Sequence, residues 1–157
     1  MSDKPAVDLQ ACHKRLAVDC FNRTWDLIDQ ERRSPEEDER MLQLAMASAW
    51  HWAQRDDCTA KNLSVGYWQI SRVHALLGRA DEARRYGMLS LEQAKRETDD
   101  PFTLGYAYEA LARAESVAGD HDAMSSYLDQ ARKAGDSIAD GDARAMLLDD
   151  LSTVEEN

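Results

Sequence analysis

Two groups of side chains have the type and spacing for recognition, and a third has the types without the spacing. Trp50, His51 and Trp52 are consecutive, and residues two apart on a helix point about 200° from each other, so one core stripe cannot hold both indoles. One indole therefore faces something else: the following helix or the Arg55 to Cys58 segment, a protein partner, or a second copy of the chain. Trp is enriched where binding energy concentrates, which makes Trp50 and Trp52 a candidate partner or oligomer surface. Arg72 and Arg113 form the second group, because a guanidinium grips a carboxylate bidentately. The third is a scattered set of donors, His13, His51, His74 and His121 with Cys12, Cys20 and Cys58. Zinc takes four N, S or O donors, usually with some at short fixed spacing. His51, Cys58 and His74 are a weak set by that measure, so neither a metal nor another cofactor is expected.

Catalysis has little support. The phosphate-cradling G-x-x-x-x-G-K-S/T is absent, as are G-x-G-x-x-G, G-x-S-x-G and H-E-x-x-H. The carboxylate pairs Glu36 and Glu37, Asp99 and Asp100, and Asp149 and Asp150 fall at expected helix ends, where they act on the helix dipole. The expectation is a protein without enzymatic activity. A net charge of −11 over 157 residues repels phosphate backbones and anionic lipid, which excludes nucleic acid and membrane surfaces as expected partners. No apolar run of signal-peptide or membrane-span length is present, and the odd number of cysteines suits free thiols in a reducing compartment. The expected location is the cytoplasm.

The elements that position these residues are helices. Ala, Leu, Glu, Arg and Gln dominate, and no alternating run carries a hairpin turn. The first helix is expected over about Val7 to Gln30. Ser34, Pro35 and Glu37 then form a capping box with proline pre-set at the first helical position. That second helix runs to about Gln54, and Thr59 caps a third that stops at Gly78. A fourth begins near Asp81 and closes before Pro101. The fifth ends at Gly119, the sixth at Gly135, and a seventh spans about Asp140 to Leu151. One domain over residues 1–157 is expected, with 1–6 and 152–157 as frayed tails.

Repetition organises the second half. A shift of 41 residues lays Tyr67 on Tyr108, Ile70 on Leu111, Ser71 on Ala112, Arg72 on Arg113, Gly78 on Gly119, Tyr86 on Tyr127 and Ala83 on Met124. An aromatic, an aliphatic, a small residue and a turn glycine, followed by a small or aromatic stripe, resembles the tetratricopeptide repeat. His74 and Glu115 replace the usual tyrosine of the first helix. The 41-residue period resembles the extended repeats of kinesin light chains and of bacterial regulators, and the likeness is greatest to small bacterial proteins of this class.

That resemblance implies an all-α, right-handed solenoid of antiparallel hairpins, about three pairs plus a C-terminal capping helix, that binds a peptide or protein of unknown identity. Whether the residues before Thr59 form a true repeat stays open. Its concave groove would be lined by Val65, Trp68, Arg72 and Leu76 beside Tyr106, Glu109, Arg113 and Val117, with Trp68, Arg72, Tyr106, Glu109 and Arg113 as the ligand-binding residues. Glu109 would limit which acidic partners are accepted. Alternatively Arg72 pairs with Glu109 and the groove is a satisfied surface. A small-molecule sensor and a homodimerising structural subunit are the competing functions.

Overall fold

The computed structural model describes residues 7–155, and among these every regular element is a helix. The order is α1 (Leu9–Ile28), α2 (Pro35–Ala53), α3 (Ala60–Leu76), α4 (Ala80–Ala94), α5 (Pro101–Ala118), α6 (His121–Asp136) and α7 (Gly141–Glu155). The chain divides into two compact units, Met1–Cys58 and Thr59–Asn157. In each, helices adjacent in sequence pack as hairpin partners: α1 on α2, α3 on α4, α5 on α6.

The unit Met1–Cys58 is the α1–α2 hairpin. Ser34 accepts from the Glu37 amide while the Glu37 side chain accepts from the Ser34 amide, which completes the capping box with Pro35 at the first turn. Arg33 closes the connection: its Nη1 donates to the Leu27 and Gln30 carbonyls at the end of α1, and its Nε donates to Asp38 on α2. Ala17, Cys20, Leu27, Ile28, Met41 and Ala45 form the buried seam. The Ser48 hydroxyl donates to the Ala17 carbonyl at 2.8 Å, letting the two backbones approach.

In the unit Thr59–Asn157, α3, α5 and α7 pack side by side, while α4 lies on both α3 and α5, and α6 on both α5 and α7. The 41-residue register is a structural one. Tyr67 faces Tyr86 at 6.2 Å between ring centroids, and Tyr108 faces Tyr127 at 6.4 Å. Ser64 and Ser90 each donate to the other's carbonyl at 2.9 Å; at the equivalent pair, Gly105 and Ala131, the close approach persists without hydroxyls. Gly78 and Gly119 take φ of +70° and +74° just past the ends of α3 and α5, a conformation that favours glycine.

Several helix ends differ from the sequence expectation: α1 is two residues shorter at each end, and α4 stops at Ala94, well ahead of Asp99 and Pro101. Gly135 does not stop its helix: α6 runs through Asp136, and Gly135 is buried against Leu147 of α7. A glycine can serve helix packing as well as a turn, and periodicity does not separate the two uses. The seventh helix continues through Glu155 rather than fraying after Leu151, because Val154 is buried beside Leu147 and Leu151 in a cluster with Leu128 and Ala131. Residues 1–6, 156 and 157, also expected to fray, lie outside the described residues.

Candidate functional site

Four of the five ligand-binding residues named from sequence, Trp68, Tyr106, Glu109 and Arg113, converge on one network beneath α7. Thr59 and Asn62 cap α3 reciprocally, fixing where that helix starts and hence which residues face α5. Asp100 caps α5 through the Thr103 amide. Burial pulls the Asp100 carboxyl up, yet hydrogen bonds from Lys61 and Thr103 hold it below the ordinary carboxylate range. With both starts fixed, Trp68 and Glu109 meet, one repeat apart: the indole Nε1 donates to Glu109 Oε2 at 2.8 Å. The other Glu109 oxygen accepts from Arg113 Nε, one turn further along α5.

Helix α7 completes the network. Arg113 Nη2 donates to the Asp150 carbonyl at 3.1 Å and to the Thr153 hydroxyl at 2.7 Å. The Tyr106 hydroxyl donates to the Asp150 carboxylate at 2.6 Å. Burial first, then that bond to a carboxylate, pushes the Tyr106 phenol far above its ordinary value, so it stays protonated and a donor. Trp68 meets Tyr106 edge to face at 5.4 Å. Glu109 is 1% exposed and Arg113 7% exposed, so both charges are desolvated and matched.

The sequence placed Arg72 and Arg113 as equal rungs of an open ladder, and their positions differ. Arg113 is the partner of Glu109, the role the alternative reading gave to Arg72. Arg72 is half-buried and lines a cleft of about 270 Å³ with Ala75, Leu76, Arg113, Ser116, Val117 and Val154. Leu76 and Val117, one repeat apart, are 37% and 40% exposed there. Asp150, expected with Asp149 at a helix end, lies inside α7 because that helix runs on to Glu155, and Thr153 and Val154 were not among the expected site residues. The sequence signal that places them is the apolar spacing Leu147, Leu151, Val154, which marks the face of α7 that turns toward α5.

The repeat pair His74 and Glu115 also separates in role. Glu115, 4% exposed, accepts two bonds from Arg84 at 2.6 and 2.8 Å. Those bonds and the opposite charge drive the Arg84 guanidinium upward from its ordinary value. His74 is buried and stacks on Tyr86 at 5.5 Å, with Nδ1 lacking a hydrogen-bond partner among the described residues. Burial lowers its pKa, opposed by Glu82 and assisted by Arg79.

In the α1–α2 unit, the Trp50 indole is 55% exposed, while Trp52 is half-buried with the Arg55 guanidinium 6.0 Å from its ring centroid. Arg55 is itself held by Asp57 and by the Gln10 carbonyl. The segment after α2 thus covers one indole and leaves the other outward. His51 pairs with His13, Nδ1 to Nδ1 at 2.8 Å, and Trp50 packs edge-on to both imidazoles. Burial and then the neighbouring His13 lower the His51 pKa.

Among the described residues, no cluster of three or more His, Cys, Asp or Glu side chains could hold a metal, and no disulfide joins Cys12, Cys20 or Cys58. No helix among them is long and apolar enough to cross a membrane. No family model, curated protein or solved structure matches the chain.

Proposed function

We propose that this chain is a tetratricopeptide-like binding module, without catalytic activity, that docks a peptide or protein on the face formed by α3, α5 and α7. The right-handed sense of the array, with two hairpins and α7 as cap in the unit Thr59–Asn157, belongs to the same reading. So does a cytoplasmic, bacterial setting. The observation that carries it is the pair Leu76 and Val117: exposed aliphatic side chains at equivalent positions of successive hairpins, flanking a cleft that Arg72 and Arg113 also line. Repeat arrays present binding surfaces built from such equivalent positions. The buried network beneath supports the same reading, because it holds α3, α5 and α7 in register and gives a ligand a rigid surface.

Trp68, Tyr106 and Glu109 act in this reading as positioning residues under the surface, and Arg72 makes the direct contact. Selection from a displayed random peptide library against the immobilised chain tests it. Selected peptides should lose binding to Leu76→Asp and Val117→Asp while helix content is unchanged. Failure to select any peptide above background, or undiminished binding to both variants, refutes it.

A further inference from the structure

We propose that the cleft lined by Arg72, Arg113, Leu76, Val117 and Val154 is a site for a single carboxylate carried on a short branched aliphatic group. This rests on the reading of the α3, α5 and α7 face given above and adds the chemical class of what enters it.

The first support is an incompletely used buried cation. Arg113 is 7% exposed, and its bonds to Glu109, the Asp150 carbonyl and Thr153 employ Nε and Nη2. Nη1 has no partner among the described residues, and Arg113 lines the cleft. A guanidinium has five N–H donors in a fixed fork. Because Nε and Nη2 are already anchored, Nη1 is held in place and a ligand oxygen bonded to it orders no long side chain. Arg72 on the same cleft supplies a second cation.

The second support is the mixture of charge and apolar surface in a small volume. At about 270 Å³ the cleft falls just short of the roughly 300–1,000 Å³ of sites for drug-sized ligands. Leu76, Val117 and Val154 surround the polar edge with branched aliphatic groups, so the complement is an acid with a compact branched tail. Charge sets the count. Glu109 and the Asp150 carboxylate already lie in the network beside the cleft, so an arriving ligand meets two negative charges as well as the guanidiniums. One carboxylate gains a bond to Arg113 Nη1 and the attraction of Arg72, and a second on the same ligand adds only repulsion from Glu109 and Asp150.

A free acid and the end of a peptide with a branched aliphatic last residue share this chemistry, and calorimetric titration of the full chain separates them. Isovalerate should bind saturably, with isovaleramide and succinate each weaker by at least about tenfold, the order of one charge-assisted bond. Arg72→Gln and Val117→Asp should weaken isovalerate roughly 10- to 100-fold at unchanged helix content. Met88→Ala on α4 should leave it unchanged. Isovalerate should also alter Trp68 emission through Glu109, a change that Trp68→Phe removes. In a second arm, a short peptide ending in leucine is compared as acid and as C-terminal amide. Absence of saturable isovalerate binding, equal affinity for the amide, or indifference to both variants overturns the proposal. Equal binding of peptide acid and peptide amide also overturns it, while the peptide-docking reading survives. Isovalerate binding with no peptide captured supports the cleft assignment and removes peptide docking instead.

Discussion

Replacing Glu109 with glutamine tests whether the network beneath α7 is a matched pair of buried charges. Glu109 is 1% exposed, and its oxygens serve Trp68 Nε1 and Arg113 Nε. The amide oxygen of glutamine can still accept from the indole, but its NH₂ then faces the guanidinium, donor against donor. Breaking a buried pair from one side costs about 3–5 kcal/mol. Arg113 keeps its bonds to Asp150 and Thr153, which puts the expected loss near the lower end, about 3 kcal/mol. That is a large share of the roughly 5–15 kcal/mol a domain commands.

Urea unfolding followed by tryptophan fluorescence and circular dichroism should show the midpoint falling at unchanged slope. Combining Glu109→Gln with Arg113→Met removes the stranded cation, and the double variant should recover at least half of the lost stability. A loss below about 1 kcal/mol for Glu109→Gln would place the pair among solvent-screened surface bridges and refute the reasoning. A double variant no more stable than the single one would refute it equally.

Gly78→Ala and Gly119→Ala should each cost about 1 kcal/mol through positive φ alone, because open space surrounds both positions. Gly105→Ala should cost about 1–3 kcal/mol through overpacking, since its Cβ would lie 2.6 Å from Leu147 Cδ2; urea unfolding of the three variants checks both values. The lowered pKa values of His51 and His74 mean that the unfolded chain binds protons more readily. Their contribution to stability is therefore full above about pH 6.5 and lost as the pH falls through the folded values, measurable as a smaller urea midpoint at acid pH that His74→Phe partly abolishes. Trp50→Ala should leave stability within about 0.5 kcal/mol, as for most surface changes. If the exposed indole joins two copies, the variant should also abolish any concentration-dependent mass in sedimentation; a wild-type chain monomeric at its highest soluble concentration excludes that role.

Much of the fold was legible because its signals are local. Ser34 with Glu37, Thr59 before α3, and Gly78 and Gly119 after α3 and α5 act within a few residues of themselves, so their meaning survives in one dimension. The 41-residue register was equally readable, since the tyrosine pairs Tyr67–Tyr86 and Tyr108–Tyr127 repeat the same geometry in successive hairpins. Gly135 was misread for a physical reason. A helix-ending glycine and a helix-packing glycine look alike until the neighbour, here Leu147, is known.

The sequence by itself determined that the chain is helical, where most helices start, and that Arg72 and Arg113 are equivalent positions. Only the tertiary structure decided that they are unequal in environment. Helix α7 lies on α5 and buries Arg113 with Glu109, while Arg72 remains half-buried at the cleft. How far a charge is removed from water depends on what covers it. Here the cover comes from Asp150, Thr153 and Val154, some forty residues further along the chain. Periodicity reports which side of its own helix a residue occupies; it carries no information on which distant helix lies over that side.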